Sequence, residues 1–177
     1  MASFDLKPWL QAAHPLREPR GMLEAQRAAR LGAVGLMAHA AAGVVLIGWM
    51  GVNPQAAMAL ATPELENMAG GAVALELVMP VAAVFAAIFT LLVYGLIAAL
   101  QWTKMTRFIP MAALILTGWG AFMNVAAILT GGMAEVAPSP VPVWLVAVDW
   151  VATAILVVLS GAALKGAVYL RRLKAAR

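Results

Sequence analysis

The sequence predicts an all-α membrane protein, a four-transmembrane-helix bundle preceded by a short N-terminal interfacial helix. Three observations lead there. Hydrophobic residues make up 64% of the 177 and charged residues 11%, against roughly half and a quarter in soluble globular domains. Four apolar runs, about 31–52, 72–100, 108–130 and 143–164, each reach the ~20 residues a helix needs to cross ~30 Å of hydrocarbon. The twelve Lys and Arg all lie outside these runs. Strands of a membrane barrel are shorter and alternate in polarity, and unpaired backbone cannot face lipid, so the runs are expected to be helices.

The chain divides into a cytoplasmic leader, 1–30, a transmembrane domain, 31–168, and a basic tail, 169–177. In the leader, Phe4, Leu6, Trp9 and Leu10 surround Lys7 and suit a short helix lying on the membrane surface, which Pro15 and Pro19 would end. Leader and first run together resemble a signal peptide with Ala59-Leu60-Ala61 as a cleavage-like site. The basic region is too long for that and the apolar run has full span length, so an uncleaved anchor is expected.

The first span carries His39, about 14 Å of helix past Arg30 and so near mid-membrane, with Gly35 and Gly43 one turn away on either side. In the second, GAVALELVMPVAAVF places Glu76 and Pro80 in an otherwise apolar stretch. Glu76 lies ~39 Å of helix from Trp102, which puts it near the outer rim, with Pro80 marking entry into lipid. Glu76, Ala83, Ala87, Thr90 and Tyr94 share a face of this helix. The third span holds Trp119 between Gly118 and Gly120, then Asn124, a pattern that suits helix contacts. The fourth carries Asp149, Thr153, Leu156, Ser160 and Ala163 on one stripe. Trp49, Trp102, Trp144 and Tyr169 fall near span ends, where amphipathic rings anchor helices.

Basic residues sort the loops. Lys7, Arg17, Arg20, Arg27 and Arg30 precede the first span, Lys104 and Arg107 separate the second from the third, and five more follow the fourth, while 53–71 and 131–142 contain none. The positive-inside rule therefore places both termini and 101–107 in the cytoplasm, in the plasma or inner membrane if the source is bacterial. The two outer loops are rich in turn residues, such as Asn53-Pro54 and Gly131-Gly132, and are too short for a domain. No internal repeat links the two helix pairs, so an inverted-repeat transporter gains no support.

With no cysteine, thiolate catalysis, disulfides and iron–sulfur ligation are excluded. P-loop, His-Glu-x-x-His and Gly-x-Ser-x-Gly patterns are missing. The net charge of +4 sits at span ends rather than on a soluble face, which argues against nucleic acid. The eleven methionines do not cluster as copper ligands would and suit flexible packing. Glu76, Asn124 and Asp149 all reach the outer third of the bundle and form a candidate proton, cation or polar-contact site; two carboxylates brought together there would share a proton or a cation. The bland alternative is that each meets interfacial water. His39 is a candidate for a hydrogen bond to a neighbouring helix, a proton relay, or an axial ligand to haem or a chlorophyll magnesium. A haem held within this chain would need a His/Met pair, because His14 lies outside the membrane. No other cofactor is indicated, and no catalytic residue or metal site stands out.

These features predict a non-catalytic integral subunit or assembly partner of a larger membrane complex, of which respiratory and photosynthetic assemblies are examples suggested by His39 alone. Its partners would be the bilayer and other membrane subunits or further copies of itself, packed through faces such as Gly35, Gly43, Gly118 and Gly120. The alternative is a small proton- or cation-coupled transporter or channel using Glu76, Asp149 and His39. A lipid- or quinone-modifying enzyme with the same three groups as acid–base residues is a third class.

Overall fold

The computed structural model describes residues 6–14, 17–56, 72–129 and 141–176, with 72–77, 124–125 and 127–129 described by backbone alone. Five helices have bounds among the described residues: α1 (Lys7–Ala12), α2 (Met22–Val52), α3 (Ala72–Lys104), α4 (Phe108–Leu129) and α5 (Val143–Ala175). No strand occurs among the described residues. Three helices are long and apolar enough to cross a membrane: α2, α3 over Val78–Lys104, and α5; the apolar stretch of α4 with described side chains, Phe108–Met123, is shorter.

Three helices outrun the apolar runs that predict them, α3 by the four residues to Lys104 and the other two by more. α2 begins nine residues before Leu31 and α5 continues beyond Leu164 to Ala175. Lipid length sets where apolar residues stop, but a helix persists while its residues favour it, and the Ala, Arg, Lys and Leu of these extensions are good helix formers. Glu24 in the first turn of α2 accepts a hydrogen bond from the Arg20 amide at 2.8 Å and pairs with Arg17 at 3.5 Å, which favours the N-terminus. α3 gives way to α4 within three residues, through Met105 at φ +48. Pro110 then occupies the first turn of α4, where no amide is needed. Pro80 lies inside α3, where it removes the amide that would reach the carbonyl of residue 76.

The helices form an arc in the order α3, α2, α5, α4. α2 packs most extensively on α5 and then on α3, α4 packs on α5, and α1 rests on α2. α2 and α5 run antiparallel: Gly32 faces Ala163, Gly35 faces Leu156 and Leu159, and Gly166 faces Ala25 and Ala29. Small residues at three- and four-residue spacing on both helices let the backbones approach closely, as expected of helix pairs in lipid. Leu156, Ser160 and Ala163 of the fourth-span stripe are buried in this seam. α3 also runs antiparallel to α2, with Pro80 and Ala83 against Gly51 and Gln101 against Ala29. The start of α2, the end of α3, the start of α4 and the end of α5 therefore share one end of the molecule, and the basic residues gather there.

That end is stitched by side chains. Fully buried Gln101 donates from Nε2 to the Ala29 carbonyl at 2.8 Å, and the Thr106 hydroxyl donates to its Oε1 at 3.4 Å. Trp9 of α1 stacks on Trp102, centroids 6.1 Å apart and planes 12° apart, while the Arg30 guanidinium lies 5.3 Å from the Trp102 ring centre. Phe4, placed with Trp9 on the expected surface helix, lies outside the described residues. Leu6 and Leu10 are exposed.

Candidate functional site

α3 and α4 are consecutive in sequence but make little mutual contact, because each packs on a different member of the α2–α5 pair. Between them lies a cleft of about 610 Å³, floored by α2 and α5. Its lining is mainly aliphatic and small: Leu36, Ile97, Ile109, Ala113, Leu116 and Gly120 are representative. Six polar or amphipathic side chains interrupt it: His39, Tyr94, Thr117, Asp149, Trp150 and Thr153.

His39 projects from α2 with its ring 6.2 Å from that of Tyr94, tilted by 53°. Its Nδ1 is buried and has no hydrogen-bond partner among the described residues. Thr117 commits its proton, donating to the Ala113 carbonyl at 2.7 Å, so towards the cleft it can only accept. Asp149 is exposed at the cleft with no described cation paired to it. Register fixes its height. Leu156 packs on Gly35, His39 is one turn from Gly35, and Asp149 is two turns from Leu156 towards the same end, so His39 and Asp149 stand about one turn apart along the bundle.

The structure thus brings His39 together with the upper part of the Asp149 stripe and with Tyr94 from the Glu76 stripe. The side chains of Glu76 and Asn124 lie outside the described residues. Of the glycines expected at helix contacts, Gly35 is at one: a Cβ there would lie 3.2 Å from that of Leu159. A Cβ at Gly43, Gly118 or Gly120 would meet nothing within 4 Å among the described residues. Close approach falls instead to Gly32, Gly51 and Gly166. Trp119, expected at a helix contact, is exposed and touches Phe122 of its own helix at 5.8 Å. Trp150 and Thr117 escaped the sequence reading because a Trp or Thr in an apolar helix carries no periodic signal of its own. Gln101 had one: an amide at the end of an apolar run, beside a tryptophan.

No described group of three or more His, Asp or Glu could hold a metal ion. The described cleft lining contains neither a methionine nor a second histidine that could serve a haem on His39 as second axial ligand. No protein-family model, curated protein or solved structure matches this chain.

Proposed function

We propose that this chain is a non-catalytic integral subunit or assembly partner of a larger membrane complex, with α2 to α5 crossing the bilayer, α1 at the surface and both termini cytoplasmic. The observation that carries the proposal is the outer face of α3. Only 6% of the apolar window in α3 is buried by the chain's own fold, against 33% in α2 and 22% in α5. Phe85, Phe89, Leu92 and Leu96, each 64–69% exposed, follow one another at four-, three- and four-residue spacing and make a continuous ridge. Such a ridge is the element that enters the groove of a neighbouring helix. The test is gentle solubilisation of the tagged chain from its native membrane. Other membrane subunits should co-purify in fixed ratio and be lost from the Phe85→Ala, Phe89→Ala double variant. Recovery of the chain alone in both cases would refute the proposal.

Asp149 and His39 opening into one cleft favour a second reading, a small proton- or cation-coupled transporter or channel. In proteoliposomes it requires ion flux that Asp149→Asn abolishes, and no flux from the purified chain would dismiss it.

A further inference from the structure

We propose that the cleft between α3 and α4 binds a lipid-soluble aromatic ring bearing hydroxyl groups, a compound of the quinol class. Size is the first argument. At about 610 Å³ the cleft falls within the roughly 300–1,000 Å³ of small-molecule sites and far exceeds the ~30 Å³ share of one water. Shape is the second. Ala113 and Gly120 leave one wall without bulk, and the rings of Tyr94 and Trp150 supply aromatic surface from α3 and α5. A flat ring suits a slot with aromatic edges.

Hydrogen-bond polarity decides between occupants. Asp149 as a carboxylate only accepts, and Thr117 only accepts because its proton is held by the Ala113 carbonyl. His39 as a neutral imidazole offers one acceptor and one donor, and its buried Nδ1 lacks a partner. Asp149, about one turn from His39, and Thr117 thus present acceptors to the cleft, while the Tyr94 and Thr153 hydroxyls and the Trp150 indole add groups that can donate. An acyl chain would leave them all unpaired. An oxidised quinone would leave Asp149 and Thr117 without a donor, whereas a quinol carries a donor at each edge and can still accept from the Tyr94, Thr153 or Trp150 donors. The proposal concerns binding, not electron transfer, and it does not depend on whether the chain has protein partners.

The test uses the full chain alone in phosphatidylcholine nanodiscs, titrated anaerobically with a dimethoxy-methyl-benzoquinol carrying a decyl tail and followed by tryptophan emission, to which Trp150 at the cleft contributes. Saturable quenching is expected, weakened about tenfold or more in Asp149→Asn, since hydrogen bonds to charged groups are the stronger kind. Gly120→Leu should abolish it by filling the slot; a Cβ there meets nothing within 4 Å among the described residues and the rest of the leucine enters the open cleft, so this variant is expected to keep its structure even if the Asp149 variant does not. A linear response identical in all three proteins would mean partition into lipid and overturn the proposal. Equal affinity for the oxidised quinone, or equal competition by decanol, would overturn it as well.

Discussion

Among single residues, Gly166 carries the most concentrated packing demand. A Cβ there would lie 2.5 Å from the Ala25 carbonyl oxygen and 2.7 Å from the Ala29 amide nitrogen, both backbone atoms of α2 that cannot step aside. Gly166→Ala is therefore expected to separate α2 from α5 and cost about 1–3 kcal/mol, the range for overpacking. Gly43→Ala meets open space and should change stability by no more than about 0.5 kcal/mol. Thermal unfolding of the two variants in detergent, followed by circular dichroism, checks the contrast; equal melting temperatures would contradict it. Gln101 is a second such point. Gln101→Leu keeps the volume but loses the bonds to Ala29 and Thr106, and should cost about 1 kcal/mol in the same measurement.

The elements divide into those held by backbone proximity and those held by side chains. α1, with six residues, is too short to persist alone and depends on the Trp9–Trp102 stack and on Ala12 against Ala28 and Leu31. Trp9→Ala should release it while leaving the long helices intact. Faster tryptic cleavage at Arg17, with unchanged helical content, is the expected result, and unchanged cleavage would show that the stack does not hold α1. Within α3 the distance from Tyr94 to Glu76 is about 27 Å of helix, whereas Asp149 stands about one turn from the Tyr94–His39 level. Glu76→Gln and Asp149→Asn are accordingly expected to act independently, as sites more than ~7–10 Å apart usually do. A double-mutant cycle on stability or ligand binding measures this, and a large coupling energy would show that the two carboxylates communicate.

For the whole molecule, the arc of helices sets both sidedness and the site. Antiparallel packing gathers the basic ends of α2, α3, α4 and α5 on one side, the side that the proposed orientation places in the cytoplasm. Fluorescent reporters fused at Ala61 and Ser139 should be dark and those at either terminus bright, since the fluorophore matures in the cytoplasm. Bright fusions at Ala61 or Ser139 would reverse the orientation.

Helical class, span-length apolar helices and the confinement of Lys and Arg to their ends were legible in the residues, because lipid imposes them one helix at a time: length, hydropathy and backbone satisfaction are properties of a segment. The inward face of α5 was legible too, since a stripe of small and hydroxyl residues repeats at helical spacing from Thr153 to Ala163. Partner choice was not. Gly43 and Gly35 look alike in sequence, yet a Cβ at Gly35 meets α5 while one at Gly43 meets nothing within 4 Å among the described residues, because which glycine is covered depends on the height at which another helix crosses. The cleft exists for the same reason: α3 and α4, neighbours along the chain, bind opposite members of the α2–α5 pair and leave a gap into which His39, Tyr94, Thr117 and Asp149 open. The sequence by itself determined what each helix is made of and where it ends, while only the tertiary structure decided which faces meet, since contacts between residues as far apart as Ala29 and Gln101 follow from packing that no single segment encodes.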